Sequence, residues 1–171
     1  MNRPASVTIY LLLLLTWASC NNPGLEAIYL IPKGFTGVVV IIFDQPDGTP
    51  AETENGKQVY RIPLNGILRT QAKPSYRIKG REYFYVDVDD SRSKVPILLP
   101  SGWEDIGNTI DNIDKNLNDI YVFGEEMGST ARNQPNYRVY SSFIVSEAKN
   151  IEAVLRSRDR VVNKALSKAS P

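Results

Sequence analysis

The feature that most constrains the fold is a series of short β-branched and aromatic runs separated by Gly, Pro, Asn and Asp. The intervening segments include "PKG", "QPDGTP", "PLNG" and "PSG". These are turn sequences, because Pro fixes φ and Gly adopts positive φ without steric cost. Regularly spaced short strands are typical of a β-sandwich or a partly closed barrel, and we expect a mainly β fold with an antiparallel sandwich. The candidate strands are Ala27–Ile31, Gly37–Phe43, Gln58–Ile62, Gly66–Thr70, Glu82–Val88, Val95–Leu99, Asp119–Gly124 and Tyr137–Val145.

One candidate strand differs from the others in having no polar face. The run Gly37–Phe43 reads "GVVVIIF", without a polar side chain on either side. A strand of this kind is buried on both faces of its sheet. We therefore expect it to be a central strand that is covered on both sides.

The C-terminal segment has a helical periodicity instead. Its apolar residues recur at three-, four- and seven-residue spacing: Ala148, Ile151, Leu155, Val162 and Leu166. This predicts an amphipathic helix over 146–168 that lies across a sheet, with Ser146 as the N-cap. The segment 104–119 fits either a short helix or a long loop.

The N-terminal segment has the layout of a secretory signal peptide. Arg3 supplies a positive charge, an apolar run extends from Val7 to Trp17, and the small residues Ala18 and Ser19 follow. The run is about half the roughly 20 residues that a membrane-spanning helix needs. We expect residues 1–19 to be a signal peptide rather than a permanent anchor.

The only cysteine of the chain, Cys20, follows this leader directly. The sequence Ala18-Ser19-Cys20 resembles the lipobox of bacterial lipoproteins, although Trp17 stands where an aliphatic residue is usual. The resemblance implies cleavage before Cys20 and attachment of diacylglycerol to its thiol. It divides the chain into a tether, 20–26, and one domain, 27–171. The alternative is an ordinary signal peptide in which Cys20 has no special role.

In bacterial lipoproteins, the residue after the lipidated cysteine also influences whether the protein stays in the inner membrane or reaches the outer membrane. In some species, Asp directly after the lipidated cysteine favours the inner membrane, and Asn21 stands there instead. The resemblance therefore favours the outer membrane, with the domain facing the periplasm.

The composition excludes several kinds of chemistry. The chain has no histidine, which rules out a Ser-His-Asp or Cys-His catalytic unit and a His-ligated metal. One cysteine cannot form an internal disulfide, a Cys-cluster zinc site or an iron–sulfur cluster. The 20 basic residues balance 19 acidic ones, which argues against nucleic-acid binding. We expect no cofactor and no metal site.

Three longer segments carry a further resemblance. "YLIPKGFTGVVVIIFDQPDGTP" followed by "QVYRIPLNGILRT" resembles a group of uncharacterised bacterial secreted and lipoprotein domains, and "SSFIVSEAKNIEAV" is similar to their closing strand and helix. At the level of the fold alone, the first part looks like transthyretin-like and immunoglobulin-like envelope modules. The resemblance implies a fold class and a compartment, but no activity, ligand or catalytic residue.

Acidic residues are the remaining candidates for chemistry. Two clusters offer oxygen ligands to calcium, but neither has the spacing of an EF-hand, and solvated surface charge is the favoured interpretation. Two adjacent glutamates, together with the first cluster, offer the carboxylate pair of a glycosidase; a structural role is again favoured. The clusters are Asp87, Asp89 and Asp90, and Asp111, Asp114 and Asp119; the glutamates are Glu125 and Glu126.

The aromatic residues allow a binding role. Trp103 follows a turn, and several tyrosines lie on candidate strands, namely Tyr83, Tyr85, Tyr137 and Tyr140. A tyrosine-rich sheet face can bind sugars or proteins. Packing in the core or on a half-buried sheet explains the same residues equally well.

Three hypotheses follow. The favoured one is a non-enzymatic module, attached to a bacterial envelope by lipid on Cys20, that binds or scaffolds an envelope protein or glycan. The second is a carboxylate-based hydrolase of envelope glycans, and the third is a calcium-stabilised adhesion module.

Overall fold

The computed structural model describes residues 25–98, 116–132 and 137–167. The leader, Cys20, Trp103 and most of the segment 104–119 lie outside these ranges. The described strands are β1 Leu25–Pro32, β2 Gly37–Ile42, β3 Glu52–Glu54, β4 Lys57–Arg61, β5 Ile67–Arg69, β6 Ile78–Val86, β7 Arg92–Lys94, β8 Ile120–Ser129 and β9 Val139–Glu147. A 3-10 turn, Ala148–Asn150, leads into the helix α1, Ile151–Ser167.

The strands form two sheets that pack face to face. One has five strands in the order β3-β4-β1-β6-β7, and the other has four in the order β5-β2-β9-β8. The predicted β-sandwich with a C-terminal helix is confirmed, but both sheets are mixed rather than wholly antiparallel. β1 is parallel to both β4 and β6, and β2 is parallel to β5. The reason is the turn after β1, which takes the chain into the other sheet, so that the later neighbours of β1 arrive by crossover connections.

Two clusters of buried apolar residues lie on the two sides of the four-stranded sheet. The main core lies between the sheets and includes Tyr29, Val39, Ile41 and Phe143. A second cluster lies between the four-stranded sheet and α1, where alternate residues of β2 face the helix. β2 is therefore buried on both faces, as its sequence predicted.

The helix begins later than predicted. Ser146 belongs to β9, where it pairs with Tyr121 of β8, and the α-helix starts at Ile151. Pairing with β8 therefore extends the strand through Ser146 and Glu147, the first two residues of the predicted helix. Ser146 is not a helix N-cap. No helix in the described ranges is long and apolar enough to cross a membrane.

Other boundaries differ where strands are short or polar. The predicted strand Val95–Leu99 is described as far as Leu98, and that part forms only an isolated bridge, between Ile97 and Val122. Asp87 and Val88 lie beyond the end of β6. The edge strands β3 and β7 were not predicted, because "ETE" and "RSK" carry no apolar pattern.

The five-stranded sheet curls around a third apolar cluster on its outer face. Ile28, Leu30 and Val59 are buried there, against Phe84 and Val86. In a flat sheet the opposite edges β3 and β7 would lie about 19 Å apart, at about 4.8 Å per strand.

Ion pairs nevertheless join these two edges. The guanidinium of Arg92 donates to both carboxylate oxygens of Glu54, at 2.9 and 2.8 Å. Arg61 links Glu52 at 3.2 Å to Asp90 at 3.4 Å. The sheet must therefore curl strongly, and these pairs lie over its outer cluster.

The turn before β5 contains a glycine, Gly66, that is packed closely against the turn between β1 and β2 and the start of β2. Gly66 has φ +74°, and a Cβ there would lie 2.7 Å from the Phe35 ring and 2.8 Å from the carbonyl oxygen of Val38. We expect Gly66→Ala to lower the free energy of unfolding by about 2 kcal/mol, because left-handed strain and overpacking add.

The matched control is Gly56→Ala. Gly56 has φ +79° with nothing within 4 Å of the added Cβ, so only backbone strain of about 1 kcal/mol applies. Urea unfolding measures both variants. Equal losses would contradict the contact argument.

Candidate functional site

A β-bulge in β8 organises the charged residues of the sandwich. The pairing of β8 with β9 shifts register between Phe123 and Glu126, and Gly124 takes φ +62°. Glycine suits this position because other residues are strained at positive φ. The bulge sends Glu125 towards the space between the sheets and Glu126 towards α1, so the two carboxylates that the sequence grouped together point to opposite sides.

Glu125 binds two tyrosines, Tyr29 and Tyr83, and an arginine, Arg81. The hydroxyls of Tyr29 and Tyr83 donate to its two carboxylate oxygens at 3.3 and 2.9 Å. Nε of Arg81 forms an ion pair with the same carboxylate. All the donors come from the five-stranded sheet, so Glu125 ties β8 to that sheet.

The tyrosine row follows from the parallel register of three strands. Tyr29 of β1 is level with Tyr60 of β4 on one side and with Tyr83 of β6 on the other. The ring centroids are 5.2 Å apart for the first pair and 4.6 Å for the second, and both pairs are stacked. Phe143 of β9 contacts Tyr29 and Tyr83 edge-on.

Burial extends the pH range over which these phenols stay neutral. It raises the pKa of Tyr60 to about 12, and the nearby charge of Glu125 adds to the effect. The pKa values of Tyr29 and Tyr83 are also raised, again by burial first and Glu125 second. Near neutral pH the hydroxyls are therefore donors, and the Glu125 carboxylate is held by three groups instead of facing a substrate as a free base.

Glu126 belongs to a second arrangement, on the helix side. Arg158 of α1 is 8% exposed. Its Nε lies 3.0 Å from Glu126 and 3.2 Å from the hydroxyl of Ser142, and its Nη2 donates to the carbonyls of Ser142 (3.0 Å) and Gly124. Arg158 therefore fastens α1 to the bulge.

The acidic cluster after β6 is divided among separate partners. Asp87 pairs with Lys33, Asp90 pairs with Arg61, and Asp89 accepts a hydrogen bond from the Ser91 amide at 3.0 Å. The pKa of Asp87 is lowered, chiefly by the hydrogen bond from Lys33.

Of the second acidic cluster that the sequence suggested, only Asp119 is described. It accepts a hydrogen bond from Asn116 at 3.1 Å. Asp111 and Asp114 lie outside the described residues. Within the described ranges, no three Cys, Asp or Glu side chains are grouped as metal ligands.

The tyrosines singled out in the sequence do not share one open face. Tyr83 is buried, and the Tyr85 hydroxyl donates to the carbonyl of Phe35 at 2.6 Å. Tyr140 packs against the cluster beneath α1, while Tyr137 is exposed. Packing therefore accounts for Tyr83, Tyr85 and Tyr140, and Tyr137 remains available for binding.

Sequence reasoning missed Arg81, Arg158 and the tyrosine row. The glycine inside a strand pattern at Gly124 is a signal for a bulge. Nothing local to Arg81 or Arg158 identifies a partner, because their contacts come from strand register and helix docking.

A shallow cleft opens near the start of α1. It is lined by Thr36, Gly37, Ile120, Ser146, Glu147, Asn150, Ala153 and Val154. Its acidic group, Glu147, is engaged by Lys149 at 3.2 Å and by Asn150 at 2.8 Å. Its lining brings no second carboxylate near Glu147.

Comparisons with known proteins give a family and a fold. Residues 24–153, more than half of the chain, match the model of a family of unknown function, DUF6843. No curated protein matches the chain. The crystal structure of a "putative lipoprotein" from Bacillus anthracis is similar, with a TM-score of 0.50 and 17% identity over 71% of this chain and 69% of that one. At this identity the likeness concerns the fold alone.

Proposed function

The chain belongs to DUF6843, a family of unknown function, and we propose that it is a non-enzymatic module of the bacterial envelope, anchored by lipid on Cys20. The observation that carries the proposal is the position of the only cysteine. Cys20 lies directly after the small residues that end the apolar leader, and five residues before β1 begins at Leu25. The module binds or scaffolds an envelope protein or glycan.

The anchor fits the physical requirements of membrane attachment. One acyl chain holds a protein only marginally, whereas two or more hold it stably. Diacylglycerol on the Cys20 thiol supplies two chains, and acylation of the new amino terminus supplies a third. The description of the structurally similar Bacillus anthracis protein as a "putative lipoprotein" is consistent with this proposal. With Asn21 after the cysteine, the outer membrane is the proposed location.

The surroundings of the carboxylates support a role without catalysis. A glycosidase needs one carboxyl to act as an acid and another to act as a base or nucleophile across a cleft. Here Glu125 and Glu126 leave opposite faces of β8, and each is engaged by its own arginine. Asp87, at the end of β6, is engaged by Lys33.

Intact-mass measurement of the protein from the membrane fraction tests the anchor. We expect a mass equal to residues 20–171 plus two or three acyl chains. Cys20→Ser should abolish this species, and Asn22→Ser, which leaves the cysteine in place, should retain it. An unlipidated chain, or one that is cut elsewhere, would overturn the proposal of a lipid anchor.

A screen for cleavage of envelope glycans tests the absence of catalysis. We expect no turnover from the wild type. Turnover that is lost in Glu125→Gln or in Asp87→Asn, with the variant still folded, would replace the binding role with a hydrolase.

A further inference from the structure

One end of the sandwich, which we call the basal end, is where the chain enters the domain. β1 begins there, and the Leu25 amide donates to the carbonyl of Arg77 at 2.9 Å. β2 ends there as well, because the turn after β1 lies at the opposite end; accordingly the Asp44 amide, just beyond β2, donates to the carbonyl of Ala72 at 2.9 Å. The last turn of α1 reaches the same end, since Arg138 donates to the carbonyl of Leu166 at 2.5 Å.

The basal end carries an excess of cations. The basic residues are Lys73, Arg77, Lys79, Arg132, Arg138 and Lys164. All except Arg138 are exposed and form no ion pair within the described part of the chain. The described acidic residues at this end are Glu26, Asp44 and Asp47. Glu26 pairs with Lys57 at 3.3 Å and Asp47 pairs with Arg69 at 3.3 Å, which leaves Asp44 as the remaining negative charge.

The opposite end of the sandwich has a different balance. Asp87, Asp89, Asp119 and Glu147 lie there, and two lysines at this end are engaged: Lys33 binds Asp87, and Lys149 binds Asn118 and Glu147. The chain as a whole is nearly neutral. The positive charge at the basal end therefore comes from how the charged residues are distributed and not from an overall excess of basic residues. It produces a positive field at one end of the domain.

Two tyrosines accompany the basal cations. Tyr76 is 74% exposed and Tyr137 is 40% exposed. They lie on the loops after β5 and before β9, beside Arg77 and Arg138. Tyrosine is favoured at the headgroup level of a membrane, because its ring is apolar and its hydroxyl is polar.

With the proposed lipid on Cys20, a short tether keeps this end close to the membrane. Residues Cys20–Gly24 separate the proposed lipid from β1, and five fully extended residues span about 17 Å. Electrostatic attraction acts over about 10 Å at moderate salt. An anchor at one point leaves the orientation of a domain free, whereas a positive surface beside the anchor attracts the negative headgroups of the same bilayer.

We propose that the basal end docks on anionic phospholipid headgroups of the membrane that carries the Cys20 lipid, with Lys73, Arg77 and Lys79 next to the tether. This inference rests on the proposed lipid anchor. Docking fixes the orientation of the domain, so that the end with Asp87 and Asp119 faces away from the bilayer.

Lysine labelling in vesicles tests the docking. The lipidated protein is reconstituted in vesicles of phosphatidylcholine alone or of equimolar phosphatidylcholine and phosphatidylglycerol, and is treated with a water-soluble amine reagent. We expect Lys73 and Lys79 to react several-fold more slowly in the anionic vesicles, and Lys33 and Lys149 to react equally in both. High salt should remove the difference.

Charge reversal provides the matched comparison. Lys73→Glu with Arg77→Glu should restore the reactivity of Lys79 in anionic vesicles, whereas Lys149→Glu at the opposite end should leave Lys79 protected. Equal reactivity of Lys73 and Lys79 in the two kinds of vesicle would overturn the docking.

The intact mass of the same sample separates the two proposals. Acyl chains without protection of the basal lysines would retain the anchor and reject docking. If no acyl chain is present, the protein is added to the same vesicles from solution. Protection of Lys73 and Lys79 under those conditions would support docking of the basal end and reject the lipid anchor. Lack of protection would reject both proposals.

Discussion

Raising the pH above 10 should unfold this protein steeply. The pKa of Tyr60 is raised to about 12, and those of Tyr29 and Tyr83 are raised as well, chiefly by burial. A group whose folded pKa exceeds its unfolded value of 10.0 stabilises the fold fully below that pH. Above it the unfolded chain ionises and the folded chain does not, so this stability is lost.

The expected magnitude is large. Each buried tyrosine costs about 1.4 kcal/mol per pH unit above its unfolded pKa, so that three cost about 4 kcal/mol per unit. A domain is typically stable by about 5–15 kcal/mol. Since Tyr60 itself ionises near pH 12, the full slope applies between pH 10 and about 12, where the loss reaches about 8 kcal/mol. A domain less stable than this unfolds in that range, and urea unfolding with tyrosinate absorbance at a series of pH values measures the loss.

Two phenylalanine variants isolate the contribution of the buried row. Tyr60→Phe should reduce the slope of stability against pH by about 1.4 kcal/mol per unit between pH 10 and about 12, because one buried phenol is removed. Tyr76→Phe changes a largely exposed tyrosine and should leave the slope unchanged. The same slope in Tyr60→Phe as in the wild type would contradict the explanation.

Arg158→Ala should lower the free energy of unfolding by about 3–4 kcal/mol. The change leaves the carbonyls of Gly124 and Ser142 without their buried donor, and such losses cost about 1–3 kcal/mol each. It also removes the ion pair with Glu126 and the packing of the side-chain stem. Burial lowers the pKa of Arg158, and the charge of Glu126 opposes that shift.

The control for this prediction is Arg156, two residues earlier in α1 and on a different face of the helix. That side chain is 74% exposed and forms only an i,i+4 pair with Glu152 at 3.5 Å. Arg156→Ala should change stability by no more than about 0.5 kcal/mol. Arg158→Met retains part of the stem and should recover part of the loss. If Arg158→Ala were as mild as Arg156→Ala, the fastening of α1 through Arg158 would be refuted.

Apolar pattern and turn residues located most of the long elements. β1, β2 and β9 lie where β-branched runs predicted them, and the buried character of β2 followed from "GVVVII" alone. The periodicity from Ile151 onwards predicted the helix and two of its buried residues, Ile151 and Val162. These features are local, because the period of the apolar residues is set by the geometry of the element that they form.

Polar edge strands and the direction of strand pairing could not be predicted from apolar pattern and turn residues. β3 and β7 have no apolar pattern, and their place is fixed by neighbouring strands and by the Glu54–Arg92 ion pair across the curled sheet. The parallel pairing of β1 depends on the crossovers of the later strands. Ser146 is a strand residue because β8 lies beside it, which overrides its local preference for a helix cap.

The features of the candidate sites also fall into those that the sequence determines and those that need the tertiary structure. The sequence by itself determined the place of Cys20 beside the tether, the absence of histidine chemistry, and which apolar runs enter the core, because each depends on residue type and order along the chain. Only the tertiary structure decided that Glu125 and Glu126 separate, that three tyrosines stack level with one another, and that scattered cations gather where the chain enters the domain. These are contacts between residues far apart in sequence, and they arise from strand register, a bulge and the docking of α1.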